Sequence, residues 1–133
     1  MPFESRHISV FIEREPAEVY AYAADPTHLP EWAAGLAGSI ELIDGRWVAD
    51  LAMGRIVVEF APPNAFGVLD HWVTDAAGTV FYNPLRVVAA PGGSELVFSV
   101  RRLEGMSDED FARDAGLVQA DLEALKRIVE APV

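Results

Sequence analysis

An α+β fold is predicted for this chain, an antiparallel meander followed by one long C-terminal helix, and three features predict it. Short apolar runs separated by tight-turn residues recur from Ser39 to Leu103, the pattern of sequential hairpins. Over residues 107–131 the apolar period changes to that of a helix. Ahead of the meander, a strand runs into a proline-started helix and then an Asp-Pro break.

Residues 5–13 alternate as a strand, with Ile8, Val10 and Ile12 on one face. Pro16 suits the first turn of a helix, where its missing N–H is no loss. Val19, Tyr20 and Ala23 then share a face, and Asp25-Pro26 ends the helix because the residue before a proline is pushed from the helical region. Tyr20 and Tyr22 fall near opposite faces, so one of them is expected to be exposed. A second short helix is expected over residues 28–34, with Gly35 and Gly38 releasing the chain from it. Ser39–Ile43 and Trp47–Met53 flank Asp44-Gly45, a two-residue hairpin signal. Arg55–Ala61 forms the next strand and is closed by Pro62-Pro63-Asn64. Gly67–Thr74 and Thr79–Val88 flank Asp75-Ala76-Ala77-Gly78, and Pro91-Gly92-Gly93 leads to Glu95–Leu103. Ser107 is an N-cap, with Asp108, Glu109 and Asp110 at the positive end of the helix dipole. Phe111, Ala115, Val118, Leu122, Leu125 and Val129 form one apolar stripe, expected to pack on the sheet. Gly116 interrupts an otherwise good helix at a cost near 1 kcal/mol, and a close approach to the sheet or a bend would account for it.

Composition bounds the function. The 133 residues, 51% of them hydrophobic, suit one folded domain spanning residues 1–133. Against 21 acidic residues stand 10 basic ones, a net charge of −11, which repels phosphate backbones and argues against nucleic-acid binding. The lack of cysteine excludes disulfides, thiolate zinc sites and cysteine nucleophiles. No apolar run approaches the roughly 20 residues of a membrane span, and charges interrupt any leader-like stretch, so a cytoplasmic protein without membrane insertion is expected. Lys126 is the only lysine and lies late in the last helix, which argues against Schiff-base chemistry. His7, His28 and His71 lack metal-ligand spacing, and no serine sits in a nucleophile elbow, so neither a metal nor a cofactor is expected.

The order running from Ile8-Ser9-Val10-Phe11-Ile12 through Pro16–Ala24 and Asp25-Pro26 to Leu29-Pro30-Glu31-Trp32 resembles the start of the START-like, Bet v 1-like superfamily, which includes polyketide cyclase/dehydrase-like proteins. Strand, two short helices, six strands and a long helix extend the resemblance over essentially the whole chain. It implies a helix-grip fold, a curved antiparallel sheet of about six to seven strands around the C-terminal helix. It also implies a cavity between sheet and helix that takes a small hydrophobic or aromatic molecule. Two other functions stay open, a cyclase/dehydratase-like enzyme and a protein-interaction module, as does a homodimer. The short chain leaves less volume for a long polyketide.

The polar residues to weigh are Asp70-His71-Trp72 on one strand and Tyr82-Asn83-Pro84-Leu85-Arg86 on the next. A regular hairpin closed by 75–78 sets His71 against Tyr82 and Asp70 against Asn83. Side chains alternate, so either His71, Tyr82 and Arg86 or Asp70, Trp72 and Asn83 face the helix, and a one-residue slip exchanges the faces. Chemistry favours the first set, since imidazole, phenol and guanidinium can bind and polarise an oxygenated or anionic ligand. The plainer alternative is a cross-strand pair on the solvent face with Arg86 solvated beside it. Pro84 removes a ladder hydrogen bond and predicts a local irregularity. His71 is the candidate acid–base catalyst. Trp32 stands as a core anchor or as an aromatic wall at one end of the cavity, the place that the resemblance gives its helix.

Overall fold

A computed structural model describes residues 4–36, 38–51 and 54–132. Strand β1 (Ser5–Ile12) alternates as expected and leads into α1 (Pro16–Ala23), which Pro16 starts. Asp25 then caps a 3₁₀ turn, Pro26–His28, by accepting the Thr27 N–H at 2.9 Å. The second helix, α2 (Leu29–Trp32), is a single turn followed by another 3₁₀ turn, Ala34–Leu36. Strands β2 (Ile40–Ile43), β3 (Arg46–Leu51) and β4 (Gly54–Phe60) follow. Asp44 and Gly45 join β2 to β3 with φ of 51° and 78°, the left-handed pair that a two-residue hairpin needs. The expected end of β3 at Met53 lies outside the described residues.

The remaining strands are β5 (His71–Thr74), β6 (Val80–Asn83), β7 (Leu85–Ala90) and β8 (Gly93–Arg101). Helix α3 (Asp108–Glu130) closes the chain, with the Ser107 hydroxyl accepting the Asp110 N–H at 3.1 Å. All pairings are antiparallel, in the orders β1-β8-β7 and β2-β3-β4-β5-β6. At the start of β8, Gly93 is held so close to the Ile12 carbonyl that a Cβ would sit 2.2 Å from its oxygen, so only glycine fits.

Two departures from expectation decide the site. The expected strand 79–88 is two strands, because Pro84 has no N–H for the ladder and the chain changes partner there. Segment β6 pairs with β5, whereas β7 pairs with β8. The turn before β6 is also one residue longer than a regular four-residue hairpin. Asp75 Oδ1 accepts both the Ala77 and Thr79 N–H groups, at 3.0 and 2.9 Å, so pairing begins at Thr74 with Val80. The register is therefore shifted by one: His71 faces Asn83 and Trp72 faces Tyr82.

Helix α3 packs on β1 and β8 and meets α2. Phe111, Ala115, Leu122 and Leu125 are buried, as its stripe requires. They join Val10, Ile12, Val19, Ala23, Leu85 and Leu96 in the interior. At the far end of α3, the Lys126 ammonium donates to the Phe11 carbonyl at 2.7 Å and to Glu130 at 2.8 Å. Gly116 is exposed, and a Cβ there would meet nothing within 4 Å, so neither close approach nor packing explains it. Neither tyrosine of α1 is exposed: the Tyr20 hydroxyl accepts the Asn64 N–H at 3.0 Å, and Tyr22 donates to Glu31 and stacks on His28.

Candidate functional site

Between the sheet and α3 lies an inner cavity of about 260 Å³. Ile56, Val58, Val73 and Phe98 form its strand walls, and Leu29 and Trp32 of α2 close one end. Val118 and Leu122 present α3 from the opposite side. Trp32 is a core residue, only 4% exposed, and it also lines the cavity.

Four polar side chains border this apolar space: Trp32, His71, Asn83 and Asp121. His71 is buried, stacked on Phe60 at 5.0 Å between centroids and edge-on to Phe98 at 6.1 Å. Its Nδ1 lies 3.1 Å from the Leu69 carbonyl oxygen. A carbonyl only accepts, so Nδ1 carries the proton and Nε2 keeps a lone pair in the neutral ring. Burial holds the imidazole below its ordinary pKa, against the opposing pull of the Leu69 carbonyl and of Asp70. The ring is therefore uncharged at neutral pH. Asn83 uses one amide hydrogen on the Phe81 carbonyl at 3.4 Å, a long contact that leaves its oxygen available. Asp121 Oδ1 accepts the Ala34 N–H at 3.1 Å and so ties the turn after α2 to α3. Burial pushes its carboxyl pKa up. The Trp32 indole N–H is buried and has no partner among the described residues, an arrangement that costs free energy unless a ligand or water supplies an acceptor.

The expected trio of His71, Tyr82 and Arg86 does not converge. With the register shifted, His71 and Asn83 point inward together, while Tyr82 stacks on Trp72 at 5.3 Å on the outer face. Arg86 also lies on the outer face, its side chain 52% exposed. Its guanidinium grips Asp70 in a fork, Nε to Oδ1 at 3.1 Å and Nη2 to Oδ2 at 2.9 Å. Asp70 accepts two more hydrogen bonds, from the Tyr82 hydroxyl at 2.7 Å and the Leu85 N–H at 3.0 Å. Burial pushes the Asp70 carboxyl up, but these bonds and the Arg86 charge outweigh it and hold the pKa at about 2. The hydrogen bond to Asp70 in turn raises the Tyr82 pKa. Tyr82 and Arg86 therefore hold the strand break at Pro84 together, and Arg86 supplies no charge to the cavity. An anion site inside the cavity built on Arg86 is overturned.

Sequence reasoning missed Asp121. It falls on the apolar side of α3 one residue before Leu122, and an acid interrupting such a stripe was the available signal. Among the described residues, no group of three or more His, Cys, Asp or Glu side chains could hold a metal ion.

Known proteins share this fold. Residues 6–130 match the family of polyketide cyclase / dehydrase and lipid transport proteins. Among solved structures, Ara h 8.0201 superimposes with a TM-score of 0.72 at 18% identity, over 96% of this chain and 98% of that one. KanY gives a TM-score of 0.74 at 17% identity, over 98% and 100%. DynU16, from the dynemicin biosynthetic locus, gives 0.71 at 14% identity over 98% of this chain, which spans about half (48%) of that protein. No curated protein matches the sequence.

Proposed function

The chain belongs to the polyketide cyclase / dehydrase and lipid transport family, a Bet v 1-like helix-grip fold, and we propose that its inner cavity takes a small, neutral, mostly apolar group, either a whole molecule or the apolar end of a longer one. The observation that carries this reading is the cavity's polar complement. A partnerless buried indole N–H, an imidazole lone pair, the Asn83 amide and the Asp121 carboxyl border it, and no cation does among the described residues. Such a site offers donors from the indole and the amide, and acceptors from the imidazole, the amide and the carboxyl, to a hydroxyl or carbonyl group, and it gives a carboxylate no cation to pair with. The size sets the ligand. An apolar cavity of roughly 150 Å³ accommodates benzene, so about 260 Å³ suits on the order of ten heavy atoms, one or two rings. A long folded polyketide exceeds that volume.

Native mass spectrometry of protein purified without denaturation tests the reading, since a retained molecule with a neutral apolar part of that size supports it. Val73→Phe, which fills the cavity from β5, should abolish retention while the protein stays folded. Retention unchanged by that substitution places the ligand elsewhere and defeats the proposal.

One observation favours a second reading, a cyclase- or dehydratase-like enzyme. The His71 Nε2 lone pair is unoccupied and uncharged, the state that a general base requires. On that reading His71→Gln removes turnover of an aromatic or polyketide-like substrate but leaves it bound. If His71→Gln changes affinity alone and no turnover is detectable, the protein is a binder.

A further inference from the structure

A second space of about 570 Å³ adjoins the inner cavity, and Asn83, Phe98 and Val118 border both. It lies where Pro84 turns β6 away from β8, over Leu117 and Val118 of α3. Residues of both sheet faces line it: Asn83 and Phe98 from the inside, Tyr82 and Arg101 from the outside. Among the described residues β6 pairs only with β5, and β8 runs on past Phe98, where its pairing with β7 ends, so the edges of the two strands face each other unpaired here. This space is a slit between β6 and β8, opened by the partner change at Pro84.

The outer lip of the slit has its own chemistry. Val80 and Leu103 are apolar and exposed, at 58% and 47%, and Leu117 of α3, 55% exposed, is the apolar residue on the helix side. Arg101 lies 5.8 Å over the Tyr82 ring. It makes no ion pair with any carboxylate among the described residues, although acids outnumber bases by 21 to 10. Arg86, by contrast, is committed to Asp70. Asp114 of α3 also lines the slit and disfavours an anion beside the helix.

We propose that the slit is the outer half of the ligand site and that it selects an amphipathic monocarboxylate. The carboxylate pairs with Arg101 at the outer lip, an alkyl linker crosses Phe98 and Val118, and the neutral apolar end fills the inner cavity. This proposal rests on the inner cavity being a ligand site, and it names the class of molecule that reaches it. The division is electrostatic. The inner cavity holds no cation to receive a carboxylate, whereas a guanidinium at the rim pairs with one in contact with water at little desolvation cost.

The test compares ω-phenylhexanoate with ω-phenylhexanol by calorimetry on wild-type protein and on Arg101→Gln, an exposed substitution. Wild type should bind the carboxylate about fivefold more tightly than the alcohol at low salt, and the gap should shrink at high salt. Arg101→Gln should erase that preference by weakening the carboxylate, while the alcohol still binds. In amide NMR, the carboxylate should shift resonances of both Val80–Asn83 and Ser99–Arg101. If the alcohol binds and the carboxylate gains nothing, or its gain survives Arg101→Gln, the slit assignment is overturned and the inner cavity stands. If neither molecule binds wild type, both readings fail together.

Discussion

Asp70→Asn should destabilise the fold by about 2.4 kcal/mol near neutral pH, and the loss should fade in acid. Asp70 is 5% exposed and receives four hydrogen bonds, two of them from Arg86. Its pKa falls from 3.8 to about 2 on folding, and a difference of about 1.8 units at 1.36 kcal/mol per unit gives that figure. Because the folded-state pKa is the depressed one, the stabilisation is fully present above about pH 4 and is lost as pH falls through 2. At about pH 3 roughly 1.3 kcal/mol should remain. Urea unfolding of wild type and Asp70→Asn across that interval measures the difference directly. A constant difference down to low pH would mean that the carboxylate charge is not what matters. A difference below about 0.5 kcal/mol at neutral pH would reduce the Arg86 fork to an ordinary surface ion pair.

Three further outcomes follow from the same geometry. Gly116→Ala should stabilise the protein by about 1 kcal/mol, since the added methyl meets only solvent and the helix gains propensity; a loss on thermal melting would contradict the open space seen there. Leu122→Ala should cost about 2–3 kcal/mol and Leu125→Ala about 3–5, because Leu122 borders the cavity and already lacks neighbours on one side; denaturant midpoints in the reverse order would misplace the cavity. Burial depresses the His71 pKa, so the unfolded chain takes up that proton first and stability falls as pH drops below about 6.5. His71→Leu should flatten this slope, and parallel profiles for the two proteins would refute a buried neutral imidazole.

The outline of the fold was legible in the sequence because its signals are local. Pro16, Asp44-Gly45, Ser107 and the stripe from Phe111 to Leu125 each act through nearby backbone or helical spacing, and each does what its position predicts. The site was legible only as a set of residues. Trp32, His71 and Asn83 border the cavity, but their grouping depended on a register that a single Asp75 side chain shifts by lengthening the turn. Pro84 signalled an irregularity, yet a missing N–H does not say which strand the chain joins next. Arg86 looked like a ligand group because an unpaired buried cation would be costly; Asp70, sixteen residues earlier in sequence, pairs with it on the outer face. Long-range pairing of this kind leaves no periodic trace.

The central claim, that the inner cavity takes a small neutral group, is tested most directly at the one buried side-chain donor left without a partner among the described residues. Wild-type protein is titrated with naphthol, an aromatic alcohol of about the size that the cavity admits, and the indole N–H resonances are followed by NMR, with Trp32→Phe identifying the signal. Saturable movement of the Trp32 resonance, together with the amides of Val73, Asn83 and Phe98, is the predicted result. A titration in which those resonances stay still, whether or not shifts appear elsewhere, contradicts the account.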